Sequence, residues 1–445
     1  MRHNDVVTDS ADTPEHEIDE TQVRAVVDPE ESLEPVSLIE QSGAIIRTGR
    51  LMLAAGTASY RVKQAMRAVA ASLGVDTHVN QVALTDIAAT SHRGRIFRTE
   101  VAENRSFSVN SDRLAHLDRL RRTLPERTTA TEIHRALDEI EERGSLYPDF
   151  ANASFAGVAC AAFAVLNHAM PWEVAAVFIA AALGQFTRRI LHHRGFNPFG
   201  TTLAGAAIAA LVYVSGIAIL NSTGAALDTH AAGYISSVLF LLPGFALITG
   251  ALDMAKMDLQ SGIQRIAFGT MITMAAGVSV WAVSLLSSLS TGPRVDAEIS
   301  LAWQLVIWAV ASAVGVAGFA FMFNSPWRIG VTAAAIGMVA NTMRMAAIDA
   351  DVPVQAATAV ACLVVGVLAA AASWRGRFPV ITLSVPAVLV MIPGVSAHQA
   401  LVALNGGDFA AATAGILQVI LVVLSIMVGL VSAKLVTDRE WAFDH

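Results

Sequence analysis

Two interrupted hydrophobic segments limit what this chain can fold into more than any other feature. Pro243-Gly244 breaks the apolar stretch LLPGFALITGALDMAKMDLQSGIQR, Leu241 to Arg265, and Pro393-Gly394 breaks MIPGVSAHQALVALNGGD 150 positions later. In that same offset Asp258 falls on Asp408, Gly216 on Gly366, and Val238-Leu239 on Val388-Leu389. Single matches are cheap in an alanine-rich chain, whereas Pro-Gly and Asp in one register are not. The pattern predicts an internal duplication in which each copy carries one broken helix.

Hydrophobic residues make up 54% of the chain and charged residues 15%, with a mean hydropathy of +0.54. So few charges cannot cover that much apolar surface in water, which excludes a wholly soluble protein. Most of the charge lies before Tyr147. The acidic, polar start predicts no cleavable signal segment. Cys160 and Cys362 lie in apolar runs and read as buried thiols rather than a disulfide.

Residues 1–35 have almost no large apolar side chains to offset their ordering entropy and read as a disordered acidic tail. Residues 36–146 have the pattern of a small α/β domain. Helical spacing covers Ser37 to Ala55 and, after Gly56, Ser59 to Leu73, where Gly74 ends it. Val75, Thr77, Val79 and Gln81 alternate as a strand, and a hairpin turns at His92-Arg93-Gly94. Ser111 is placed as the cap of the next helix, and Thr129 with Glu132 forms a capping box for the last. Asp86 and His92 read as solvated side chains, and Arg119, Arg121 and Arg122 as an exposed face. No metal-ligand spacing, nucleophile elbow or phosphate loop is present.

Beyond Pro148 ten segments approach the ~20 residues that cross a bilayer: 151–168, 172–191, 199–220, 232–252, 264–289, 301–323, 328–348, 353–373, 379–402 and 410–434. Loop charge checks that division independently. Arg188, Arg189 and Arg194, then Lys256 and Arg265, Arg328, Arg375 and Arg377, and Lys434 and Arg439 all follow even-numbered spans. By the positive-inside rule both termini are cytoplasmic. The fold class expected is therefore a polytopic α-helical membrane protein behind a small α/β cytoplasmic domain. Its ten transmembrane helices form two five-helix repeats, 147–290 and 299–436. Five is odd, so the repeats enter the membrane in opposite senses, an inverted pair of the kind that builds secondary transporters.

Proline removes a backbone donor, which leaves carbonyls near Leu242 and Ile392 open for a cation. The new helices then begin at Gly244-Phe245-Ala246 and Gly394-Val395-Ser396, whose free N–H groups favour a carboxylate. An amino acid carries both charges and matches both features. Substrate-binding candidates are thus Pro243, Gly244, Phe245, Pro393, Gly394 and Ser396, with Asn341 and Arg344 from the seventh span. Arg344 has two readings, contact along the substrate path or snorkelling to the interface near Asp349. Candidate coupling or gating residues are Asp253, Lys256, Asp258, His398 and Asp408; for the first three a solvated loop is the competing reading. Gln185, Gln304 and Gln418 read as helix bridges, and Trp172, Trp303, Trp327 and Trp374 as interface anchors.

The stretch LMLAAGTASYRVKQAMRAVAASLGV, Leu51 to Val75, resembles the opening of the threonine/serine exporter family. The order Pro243, Gly244, Asp253, Asp258, Ser261, Gly262, Arg265 is similar to its PG…D…D…SG..R pattern, and Val385-Pro386 with MIPG to its companion half. The resemblance covers most of residues 40–435. It implies export of L-threonine and L-serine across the cytoplasmic membrane, driven by protons or another coupling ion. It implies no catalytic residue and no cofactor. The partners expected are a small amino acid, the coupling ion and the bilayer, with a homo-oligomer left open and no nucleic acid. The second copy has Ala403 and Gly406 where the first has Asp253 and Lys256, so the two loops differ in role. The alternatives are a channel or sensory scaffold, or a membrane-bound hydrolase acting through residues 36–144.

Overall fold

The computed structural model describes residues 36–104, 108–222, 231–286, 300–376 and 378–443. The expected acidic tail lies outside them. The N-terminal domain comprises α1 (Val36–Ala54), α2 (Ser59–Ser72), strands β1 (Thr77–Val82), β2 (Asp86–Arg93) and β3 (Ile96–Glu103), then α3 (Ser111–Thr123) and α4 (Ala130–Glu141). The strands form one antiparallel sheet in the order β1-β2-β3, with Thr90 opposite Thr99. Its core holds Ile45, Met52, Val62, Met66, Ile87 and Leu137, all buried. Gly56 and Gly74 take φ of +93° and +74°, which ends the two helices where the glycines predicted. Thr129 and Glu132 form the expected capping box. The cap of α3 is Asn110 rather than Ser111, because its side chain accepts from the Arg113 amide at 3.0 Å.

The membrane part follows: α5 (Asp149–Leu166), α6 (Pro171–His193), α7 (Pro198–Ser222), α8 (Ala231–Ser236), α9 (Gly244–Ala255), α10 (Leu259–Ser284), α11 (Leu301–Met322), α12 (Trp327–Asp349), α13 (Val354–Ala372), α14 (Val380–Leu389), α15 (Gly394–Asn405) and α16 (Phe409–Thr437), then the short α17 (Arg439–Ala442). Eight of these helices are long and apolar enough to cross a bilayer alone. The bent pairs Gly233–Leu241 with Gly244–Ala255 (63°) and Val380–Leu389 with Gly394–Asn405 (47°) bring the spans to as many as ten. The chain is a multi-pass membrane protein. The fifth span starts at Leu259, five residues before the charge pattern placed it, because Gln260, Gln264 and Arg265 point into protein contacts rather than a solvated loop.

The two breaks match residue by residue. Pro243 (φ −82°, ψ 55°) and Pro393 (φ −80°, ψ 74°) each centre an inverse γ-turn, in which the Gly244 amide donates to Leu242 O and the Gly394 amide to Ile392 O, both at 2.9 Å. Each is followed by a 12-residue helix, then a left-handed residue, Met257 (φ 65°) or Gly407 (φ 75°). A second repeat signal, missed in the sequence, is Pro171-Trp172 and Pro326-Trp327 opening α6 and α12 after left-handed His168 and Asn324.

Small residues set how closely the helices approach. A Cβ on Gly318 would lie 2.9 Å from both Phe155 O and Ala159 N, so α11 rides on the backbone of α5. Gly429 places α16 against α13 in the same way, with Cys362 Cβ 2.7 Å from such an atom. Gln185 donates to Asn152 Oδ1 at 2.8 Å and Gln355 to Gln418 at 2.9 Å, which are the expected helix bridges; Gln304 makes none among the described residues. Trp303, Trp327 and Trp374 are exposed at span ends, as interface anchors require. Gly318→Ala and Gly429→Ala are each expected to destabilise the full chain by about 1–3 kcal/mol through overpacking. A lowered thermal midpoint in detergent checks this, with Gly277→Ala, where a Cβ meets nothing within 4 Å, as the neutral reference.

Candidate functional site

The breaks adjoin one another. A Cβ on Gly244 would collide with Leu389, four residues before Pro393, and one on Gly394 would meet the Phe163 ring at 2.8 Å. The packing is reciprocal: α9 lies against α14 and α15 against α8, so each second half touches the first half of the other copy. Phe245 stands edge-on to Phe323, centroids 4.9 Å apart. The γ-turns change the expected chemistry. The Gly244 and Gly394 amides are used up by the γ-turns, while the Leu242 and Ile392 carbonyls each accept one bond and keep a second lone pair. The helix-start donors that remain are Phe245 and Ala246 in one copy, Val395 and Ser396 in the other.

Arg344 and Asn341 lie beside the second break. Arg344 Nε donates to Thr358 Oγ1 at 2.8 Å and Nη1 to Asn341 Oδ1 at 3.3 Å, while Asn341 Nδ2 donates to Ser312 Oγ at 2.8 Å. Cys362, one turn beyond Thr358, touches Met391 Sδ at 3.7 Å, two residues before Pro393. Arg344 is 7% exposed, so it does not snorkel to the interface. No carboxylate among the described residues lies within 4 Å of it, and a guanidinium buried this way has capacity for an anion. His398 is also buried, both ring nitrogens lacking a partner among the described residues, while Ser396 is half-buried.

The strongest polar cluster lies where the N-terminal domain meets α9 and α10. Asp253, with no exposed surface, accepts from the Ser59 amide at 2.9 Å, from Ser59 Oγ at 3.0 Å and from Ser261 Oγ at 2.9 Å. Arg265 Nε lies 3.1 Å from its Oδ2, and Nη1 donates to Thr249 Oγ1 at 3.2 Å. Asp253 is therefore not part of a solvated loop. Asp258 pairs with Lys63, and Lys256 donates to the Trp441 carbonyl at 3.0 Å. Asp408 is exposed, and its side chain caps α16 by accepting from the Ala411 amide at 3.0 Å. Ser59 and Lys63 were not among the sequence candidates, although Ser59 sits in the Gly-Thr-Ala-Ser stretch of the family-like opening.

Further seams bind the N-terminal domain to the membrane part. Ser111 N donates to Phe323 O at 3.0 Å, Asn324 Nδ2 to Asn110 Oδ1 at 2.9 Å, and Arg122 lies against Gly376. Arg122 is also held by Asp118 at 2.5 Å, so it is not on a free solvent face. Arg61 reaches Asp438 at 3.8 Å. Burial pushes the Asp438 carboxyl up, but Lys434 and Arg61 beside it hold it below the usual carboxylate range. The linkers touched after α9, α11, α13 and α16 all follow even-numbered spans. The ends of the fifth and ninth spans meet elsewhere, with Asn405 Nδ2 donating to Ser284 Oγ at 2.9 Å.

Eight long apolar helices and two bent pairs, broken at matching prolines and packed together beside the buried Arg344, define a polytopic helical membrane protein. The chain belongs to the threonine/serine exporter family: the model described as "Putative threonine/serine exporter" matches residues 44–287, more than half the chain, and that described as "Threonine/Serine exporter, ThrE" matches residues 308–436. A "Probable threonine/serine exporter" of Mycobacterium tuberculosis is 27% identical over 381 residues, 82% of this chain and 70% of the relative. A "Probable succinate transporter subunit YjjP" is 25% identical in Klebsiella aerogenes and 26% in Escherichia coli, each over 243 residues. Those matches cover 53% of this chain and 89% and 90% of the relatives. No solved structure matches.

The Asp253–Arg265 pair yields a clear expectation. Asp253→Ala strands a buried guanidinium and should cost about 3–5 kcal/mol, whereas the double change Asp253→Leu/Arg265→Met removes both charges and should recover most of that. Thermal midpoints of the full chain check the ordering; equal losses in the single and double variants would contradict it.

Proposed function

We propose that this protein is a secondary active exporter of L-threonine and L-serine, driven by the proton motive force. It works by alternating access around the two broken helices. The reciprocal packing of the breaks carries this reading, since it brings two half-helix N-termini and the buried Arg344 to one region of the membrane part. The substrate carboxylate pairs with Arg344, and the Asn341 carbonyl oxygen accepts from its ammonium group. Phe245 and Ala246 in one copy and Val395 and Ser396 in the other supply the donors left after the γ-turns. The two five-helix units are inverted repeats, a reading supported by the even-numbered linkers gathering at the N-terminal domain. Loop charge supports a cytoplasmic location for that domain and both termini. His398 is the internal proton acceptor, and the Asp253–Arg265–Ser59 cluster is the cytoplasmic gate.

A second reading, export of a dicarboxylate, is favoured by the two relatives named as succinate transporter subunits. Counterflow into proteoliposomes with labelled threonine separates the two. Unlabelled threonine or serine inside should drive accumulation, and succinate should not. Pro243→Ala should lower the exchange by letting the helix run through the break, and Arg344→Ala should lower it by about tenfold or more, as expected for losing a buried charge-assisted contact of roughly 1.5–3 kcal/mol, with the protein still inserted in both. Undiminished exchange in both would overturn the site.

A further inference from the structure

Between the N-terminal domain and the membrane part lies a cavity of about 50 Å³, more than the ~10–15 Å³ that a single water occupies on the same measure. Its walls come from units far apart in sequence. Thr57, Tyr60 and Arg61 close it on one side, Asp118 and Arg122 of α3 on another, and Lys434 of the last span on a third. Ile248 and Leu252 of α9 face it, as do Ile381 and Ser384 of α14. The cavity thus opens between one half of each broken helix, α9 beginning at Gly244 and α14 ending at Leu389, the two residues that touch at the breaks.

The charge of the wall selects the ligand. Three cations, Arg61, Arg122 and Lys434, line it against one carboxylate, Asp118, in a chain whose net charge is −7. Asp438 pairs with Lys434 and lies 3.8 Å from Arg61, so three cations stand against two carboxylates and one positive charge remains. Two of the cations are closely paired, Arg122 with Asp118 and Lys434 with Asp438. Arg61 is held more loosely: it shares Asp438 at 3.8 Å, contacts Tyr60 and Gln64, the latter at a long 3.4 Å, and its side chain is 24% exposed. Arg61 and Lys434 each lie 5.5 Å from the centroid of the Tyr60 ring. An under-paired guanidinium in an apolar-walled cavity presents its fork to a carboxylate.

We infer that this cavity is a loading site for the amino-acid substrate, with Arg61 of the N-terminal domain binding its carboxylate before the substrate moves between α9 and α14 to the breaks. The inference rests on the exporter reading. It gives the N-terminal domain a part in recognition that the membrane helices alone lack. Ile248, Leu252 and Ile381 form the apolar wall toward the side chain, and Ser384 offers its hydroxyl to a hydroxy amino acid.

The test uses the purified full chain in proteoliposomes, with threonine supplied from the side that carries the N-terminal domain. Arg61→Gln should raise the KM by about tenfold or more while exchange at saturating threonine persists, the scale of a lost charge-assisted pair. Arg61→Lys should lie between the two. Threoninol, which lacks the carboxylate, should compete equally well against labelled threonine binding in the wild-type and Arg61→Gln proteins. Ile381→Trp fills the cavity from the membrane side and should abolish loading without touching a charge. An unchanged KM in Arg61→Gln, or wild-type exchange in Ile381→Trp, overturns the loading site and leaves the exporter reading standing. A wild-type protein that neither binds nor exchanges threonine overturns both.

Discussion

A chain that leaves the helical conformation inside a bilayer must satisfy its own polar groups or be wrapped in protein, because lipid offers neither donors nor acceptors. The two prolines meet that requirement by one device. Each leaves a donor and an acceptor two residues apart, and the inverse γ-turn joins them at 2.9 Å. The surrounding helices bury what remains, with Phe163 against Gly394 and Leu389 against Gly244. Breaking a helix here therefore costs little hydrogen bonding. It redirects the chain by 63° in one copy and 47° in the other, and starts a fresh helix at membrane depth.

The two copies put that redirection to different uses. After the first break, α9 carries Asp253 down to Ser59, Ser261 and Arg265, and the N-terminal domain is fastened to it by a network with almost no solvent exposure. After the second, the matching position is Ala403, and α15 ends in an exposed turn capped by Asp408. The two breaks share one backbone course, and their different side chains make one end a docking point and the other an exposed end. A buried ion pair is a poor source of stability, but it demands one geometry, and removing either partner is costly. Such a contact suits an element that must either sit in place or leave entirely.

The breaks, the apolar helices and the capping box were legible because each depends on local rules: proline geometry, apolar length and side-chain reach along one helix. Arg344 was visible as an anomaly, but whether it snorkels or is buried turns on Asn341, Ser312 and Thr358 from three helices, and no local pattern brings those together. The γ-turn that engages the Leu242 carbonyl was not legible for the opposite reason. The γ-turn is local, yet proline permits several turns, and the one adopted is set by packing against the other copy. Ser59 carried no signal of its own beyond its place in a family pattern. Its role comes from Asp253, 194 positions away.

The position of the N-terminal domain then acquires a physical meaning. It touches the linkers after the fourth, sixth and eighth spans and the end of the tenth, so it spans both halves of the membrane part on one side. Any rocking of one half against the other must change some of those contacts while keeping others. The contacts are unequal in strength. The Asn324 hub to Asn110, Ser145 and Leu146 is neutral, whereas the Ser59 amide and hydroxyl both donate to a fully buried carboxylate, Asp253, which Ser261 and Arg265 of α10 hold in place. A domain held this way is fixed most firmly to α9 and α10, and its contacts with the second half are the more exposed ones.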